Sequence, residues 1–256
     1  MWKMISPFVL LAMMLSCSSN IDNMALFQGD PGIHDLPANL EIQQILGNAP
    51  PTKFSTLKYE NHVRDIGSGK TSHTYTSMVN LKEQDKHIAV AKTEYYIIQP
   101  DGSASKQVTD VDVGVPGIIS FVYLTTKHQP THQIQFRKLV KQFDNVNGRL
   151  FPLKKGSKLS INILFACQTT RGNANNPDQE LSWSYNFKII EHYDGYTLPE
   201  RTLPGKIYVI EKHEIGPDGM VDNALIHFAE SPGVVVKTVR LVDNILEETR
   251  LVDMEE

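Results

Sequence analysis

The sequence predicts a mainly β protein, an antiparallel meander that closes as a barrel or packs as a sandwich, with one or two short helices. Three observations carry this expectation. From about residue 55, runs rich in Val, Ile, Thr, Tyr and Phe recur at close, fairly even spacing. Clusters of Gly, Pro, Asp and Asn punctuate them, among them "PDGS" at 100–103 and "GPDG" at 216–219. The length, 256 residues, suits one large β domain or two small ones.

The elements follow in order. "TSHTYTSMVNL" (71–81) has strand composition, as does the long run "HIAVAKTEYYIIQ" (87–99). In "KQVTDVDVG" (106–114), Val108, Val111 and Val113 surround Asp110 and Asp112. "IISFVYLTT" (118–126) is another strand. Residues 132–143 stay open between helix and strand, because Phe136, Leu139, Val140 and Phe143 have helical spacing while Ile134 and Phe136 alternate. Strand patterns then run from "KLSINILFACQTT" to "NILEETRLV", and "EKHEIGPDGMVDNALIHF" (211–228) is the clearest hairpin. Ahead of them, "NLEIQQILG" (39–47) reads as a short helix with Leu40, Ile42 and Ile45 on adjoining faces and Gly47 as its stop.

"DIGSGKTSH" (65–73) tests a nucleotide-binding reading. Gly69, Lys70 and Thr71 fill the last three places of a phosphate-binding loop, but Arg64 stands where its first glycine belongs. Such a loop opens a helix; here a strand pattern follows. The expectation is a hairpin turn and no nucleotide.

The start of the chain has a different character. Lys3 precedes an apolar run from Ile5 to Leu15, too short to span a bilayer, which needs about 20 residues. It ends in Met14-Leu15-Ser16-Cys17, which resembles the lipobox of bacterial lipoproteins, although Met14 stands where Leu is usual. The resemblance implies a signal peptide over 1–16, a lipid on Cys17, and, with Ser18 rather than Asp next, delivery to the outer membrane with the protein facing the periplasm. A periplasmic site has no ATP supply. Residues 17–52, with the turn formers "GDPG" and "NAPP", read as a lipidated tether carrying the short helix, and 53–256 as a single β-domain.

Charge and cysteine content exclude some classes. Lys and Arg number 25 against 29 Asp and Glu, and removing 1–16 takes only Lys3. A mildly acidic chain offers no overall footprint for nucleic acid. With Cys17 lipidated, Cys167 has no partner; in "INILFACQ" it reads as a buried small hydrophobe.

Three strings in the second half occur together in a family of exported bacterial β-domain proteins of mostly uncharacterised function, which this chain resembles over roughly 52–256. They are "LFPLKKGSK" (150–158), "SWSYNFKIIEHYDGYTLPERTLPGKIYVIE" (182–211) and "IHFAESPGVVVKTVR" (226–240). One departure is Leu203-Pro204-Gly205-Lys206-Ile207 where a Pro-Ala-Gly-Thr-Phe type string is usual. The resemblance implies the β-domain and supplies no catalytic residues.

No motif assembles chemistry. His128 and His132 are four apart, but Pro130 breaks any helix between them. "HEIGP" (213–217) lacks the second histidine of a zinc protease. Asp110 and Asp112 fall short of the six to eight oxygens of a calcium site. Trp183 and Tyr185 share a strand face and read as core. The sequence therefore implies no catalytic residue, metal or cofactor. It points to a non-catalytic lipoprotein, held to the membrane through Cys17, that serves other envelope proteins as a structural or accessory component of an assembly such as a secretion apparatus. Docking by strand addition to a sheet edge is its expected mode. The alternative is a carrier for a lipid or other hydrophobic ligand, lined by Tyr95, Tyr96, Phe121 and Tyr123. A third reading, a hydrolase of envelope polymers, requires a deep cleft with converging acids.

Overall fold

A computed structural model describes residues 45, 47 and 50 and, with short gaps, 53–255. Thirteen strands follow one another: β1 (Thr56–Asp65), β2 (Thr71–Asp85), β3 (Val90–Ile98), β4 (Ala104–Val115), β5 (Ile119–His128), β6 (Gln133–Gly148), β7 (Lys158–Arg171), the short β8 (Ala174–Asn175), β9 (Gln179–Thr197), β10 (Thr202–Ile215), β11 (Val221–Ala229), β12 (Val234–Val242) and β13 (Ile245–Glu255). The mainly β, antiparallel meander is what the sequence predicts.

Each strand pairs with the next along the chain, β8 apart, and β13 returns to β1. Because β6 also pairs with β7 and β7 with β9, the pairings run in a continuous circuit. Alternate turns of such a meander lie at opposite ends. One end, the mouth, carries the β1–β2, β10–β11 and β12–β13 turns; the Ile66 amide donates to the Asn244 carbonyl there at 2.8 Å. The other end, the floor, carries the β6–β7, β9–β10 and β11–β12 connections.

Local chemistry explains the turns. Gly69 closes the β1–β2 turn at φ 67°, and the Ser68 amide donates to Asp65 Oδ1 at 3.1 Å. Thr71 then opens a strand, so "GSGK" is a hairpin turn. At "GPDG" the Gly216 amide donates to the Met220 carbonyl at 2.9 Å, and Gly219 takes φ 80°. The segment 132–143, open between helix and strand in the sequence, falls from residue 133 onward in β6 (Gln133–Gly148). Its ladder with β7 skips at Val140/Gln142 and again at Asp144/Asn147. The first bulge inserts a residue and returns Phe143 to the face of Phe136 and Val140, while Leu139, of opposite parity, is buried as well.

Of the helix expected over 39–47, the described part is Ile45, which is helical and buried, and Gly47, at φ 82°. A left-handed glycine is the usual helix stop, and a Cβ on Gly47 would lie 2.3 Å from the Phe151 carbonyl oxygen. The rest of 39–47 lies outside the described residues.

Among the described residues two apolar clusters hold the fold. The larger fills the space between β6, β7 and β9–β11, with Ile161, Ile163, Phe165, Phe187, Ile189, Ile210, Ile226 and Phe228 each at most 2 % exposed. Ile45, Val115, Ile118, Leu150, Phe151 and Leu153 complete it. The smaller joins Leu198, Leu203 and Ile207 to Phe54, Leu57, Leu251 and Met254. Here the Tyr196 hydroxyl donates to the Leu251 carbonyl at 3.3 Å and Arg201 to that of Met254 at 2.5 Å, drawing the β9–β10 tip onto β13. Outward positions are polar, as with Glu180, Ser182, Asn186 and Lys188 on β9. An apolar inside and polar outside reverse the order of a barrel that faces lipid. No helix among the described residues is long and apolar enough to cross a membrane.

Candidate functional site

The inward faces of β9–β13 change character toward the mouth. Below, β11 turns Ala224, Ile226 and Phe228 inward; above, the same alternation brings Asp222 to the inner face. On β10, Glu214 is the register partner of Asp222 on one side and of Tyr185 on β9 on the other. Lys212 and Arg240 flank Ala224, and Arg240 faces Glu247 on β13.

These side chains form one ion network. Lys212 Nζ lies 2.5 Å from Glu214 and 3.7 Å from Asp222. Arg240 Nε donates to Asp222 Oδ1 at 2.9 Å, and its terminal nitrogen stands 3.5 Å from Glu247. Asp222 is 5 % exposed and the other four between 13 and 18 %, so the network is largely withdrawn from water. Burial works against the Arg240 cation, but the Asp222 hydrogen bond and the charges of Asp222, Glu247 and Glu214 outweigh it and raise its pKa. Burial, then the nearby carboxylate of Glu214, pushes the Tyr185 hydroxyl well above the usual tyrosine range.

A sixth charge extends the network along β6. Lys138 Nζ donates to the Tyr185 hydroxyl at 3.1 Å and sits 4.1 Å and 4.6 Å from the ring centroids of Phe165 and Trp183. Those two rings meet edge to face at 5.3 Å. Lys138, Lys212 and Arg240 thus balance Glu214, Asp222 and Glu247. Above them a depression lined by Trp183, Glu214, Pro217, Asp218, Met220 and Asp222 encloses ≈ 20 Å³, room for one water molecule.

On the outer face, the Tyr193 hydroxyl and His227 Nδ1 share a 3.0 Å hydrogen bond. Burial, and next the Lys237 cation, hold the His227 imidazole below its usual range. Lys237 and Arg250 each reach Glu248 at 2.8 Å.

The sequence candidates fall as follows. Cys17 lies outside the described residues. Tyr95 and Tyr96 are successive residues of β3 and so occupy positions of opposite parity; Tyr96 is half-buried. Phe121 and Tyr123 lie on β5, and their side chains, like that of Tyr95, lie outside the described residues. Asp110 and Asp112 lie on β4, with side chains likewise undescribed. His128 ends β5, and His132 falls outside the described residues. Cys167 is 1 % exposed in the larger cluster. Trp183 and Tyr185 do share one face of β9, Tyr185 as core and Trp183 at the depression. Among the described residues no group of three or more His, Cys, Asp or Glu is placed to hold a metal. The ion network is absent from the sequence reading, though its signal was there. Counting back from the "GPDG" turn pairs Glu214 with Asp222 on the face that carries Ile226 and Phe228.

Edges are short. The β5–β6 ladder ends at Val122–Leu139 and the β7–β9 ladder at Lys158–Lys188, so the lower parts of β6 and β9 each have one strand neighbour. Both are marked by bulges, and Lys141, Asp144, Glu191 and Asp194 add charge. These features guard an edge against a further strand.

No family model matches the chain, and no curated protein or solved structure matches it.

Proposed function

We propose that this protein is a non-catalytic envelope lipoprotein whose β-domain is a rigid scaffold presented to other envelope proteins. The observation that carries the reading is the packed inner face of β7 and β9–β11 among the described residues. Across β7 and β9–β11 the inward side chains occupy the space themselves, which suits a scaffold working through its outer surface rather than a container. The guarded edges favour contact through side chains over strand addition. Met14-Leu15-Ser16-Cys17 supports the anchor, outer-membrane delivery and the periplasmic setting. The strings at 150–158, 182–211 and 226–240, similar to those of exported bacterial β-domain proteins, point the same way.

The test is purification of the tagged full-length chain from its native membrane in gentle detergent, with sizing and mass spectrometry. Recovery in a large stoichiometric complex is the expected result. Recovery as a monomer with a small molecule bound would sink the scaffold reading in favour of a carrier. Separately, Cys17→Ser should move the protein from the membrane to the soluble fraction. If it pellets like the wild type even after a high-salt wash, which strips electrostatic contacts, the anchor assignment is wrong.

A further inference from the structure

The β6–β7 connection alternates in chemistry as it crosses the floor. Leu150, Phe151 and Leu153 turn into the core, while Arg149, Lys154 and Lys155 are exposed. Lys158, the first residue of β7, and Lys188 on β9 are exposed beside them. The geometry gathers the five. The Gly156 amide donates to the Ile189 carbonyl, and the Ile189 amide to that of Ser157, at 2.8 Å and 2.9 Å, laying the Lys154–Ser157 turn next to Lys188. Lys158 and Lys188 are direct register partners.

None of these five cations forms an ion pair among the described residues. Segment 149–160 has four cations and no acid, in a chain whose net charge is −4. Glu211 is the register partner of Lys188 on its other side, and the two form no ion pair among the described residues. Like charges set directly opposite each other across two strands are destabilising, and an unneutralised patch in an acidic protein calls for an anionic partner from outside. Val146, 43 % exposed, adds an apolar side chain at the same end of the β6–β7 hairpin.

The position of the patch says which partner. The chain enters the domain at this end: Ile45 is buried in the cluster that contains Phe151, and Gly47 packs on the Phe151 carbonyl. The first described residues of the chain, Ile45 and Gly47, therefore lie at the basic loop. We infer that Arg149, Lys154, Lys155, Lys158 and Lys188 form a docking surface for anionic lipid headgroups, which seats the floor of the domain on the membrane. The inference deepens the proposed envelope reading and rests on it for the choice of a bilayer. It leaves the mouth and its ion network turned away from the membrane. Each cation near an anionic surface strengthens binding by roughly fivefold, and added salt screens the attraction.

The test uses the full chain as Cys17→Ser, so that no acyl group contributes, with vesicles of phosphatidylglycerol and phosphatidylcholine, or of phosphatidylcholine alone. Binding to the anionic vesicles only, weakened by salt, is expected. The triple variant Lys154→Gln/Lys155→Gln/Lys158→Gln should weaken it at least tenfold, whereas Arg64→Gln at the mouth should leave it unchanged. Unaltered thermal unfolding of the triple variant verifies the fold, these side chains being exposed. Absent vesicle binding, binding indifferent to the triple variant, or equally tight binding to polyglutamate would each overturn the assignment to a lipid surface. The two readings fail separately: retention of Cys17→Ser on native membranes that persists in the triple variant refutes the anchor, whereas failure of Cys17→Ser with its lysines intact to bind anionic vesicles refutes the patch.

Discussion

Replacing Asp222 by Asn removes the charge at the centre of the mouth network and keeps the side-chain volume. Asp222 holds Arg240 at 2.9 Å and faces Lys212 at 3.7 Å from a position only 5 % exposed. Breaking a buried ion pair from one side costs about 3–5 kcal/mol, because the remaining charge is left desolvated. Here both orphaned cations keep a second carboxylate, Lys212 with Glu214 and Arg240 with Glu247. Residual access of water to Arg240, 16 % exposed, softens the penalty further. The loss should therefore lie near the lower limit, about 3 kcal/mol. For a chain of this length that lowers the unfolding midpoint by roughly 6–12 °C. Urea unfolding at neutral pH gives the free energy, and calorimetry gives the midpoint. The double variant Asp222→Leu/Arg240→Met, which removes both charges, should be closer to wild type than Asp222→Asn alone. A loss under about 1 kcal/mol for Asp222→Asn, the size of an exposed pair, would refute the view that the network is desolvated. So would a double variant that merely sums its two single losses.

Two further predictions concern the floor and the outer face. Ile45→Ala should cost about 2–5 kcal/mol in urea unfolding, since Ile45 is 4 % exposed in the larger cluster; a negligible change would show that the folded unit begins after it. His227 takes up its proton in the folded chain at a lower pH than in the unfolded one, owing to burial and then Lys237, with Glu191 and Glu248 opposing. Its contribution to stability is therefore complete above the unfolded value of 6.5 and is lost as the pH falls through the depressed folded value. His227→Gln should flatten stability between about pH 7 and 5, and an unchanged slope in denaturant titrations there would count against the assignment.

Much of this architecture was legible residue by residue. "GPDG" and "GSGK" announced hairpins because glycine at positive φ is a local requirement that neighbouring residues express. "EKHEIGPDGMVDNALIHF" carried its register with it, since strand parity is set outward from the turn. Residues 132–143 stayed ambiguous because a bulge is decided by the partner strand, here β7, and changes the apparent period of the apolar residues. Gly47 was legible as a helix stop, whereas the packing of Ile45 beneath Phe151 was not, because the two are about 100 positions apart in the chain.

By itself the sequence determined the local quantities: strand character, turn positions and the alternation that divides inside from outside. These follow from backbone sterics and side-chain polarity over a few residues. Only the tertiary structure decided the rest. The return of β13 to β1 closes the circuit of pairings. The union of Lys138, Lys212, Glu214, Asp222, Arg240 and Glu247 brings side chains from five strands together. The gathering of Arg149, Lys154, Lys155, Lys158 and Lys188 at the floor depends on where the β6–β7 turn meets β9. Each rests on which distant strands become neighbours, and that choice is made by burying apolar surface across the whole domain, a sum over all the strands that no local stretch contains.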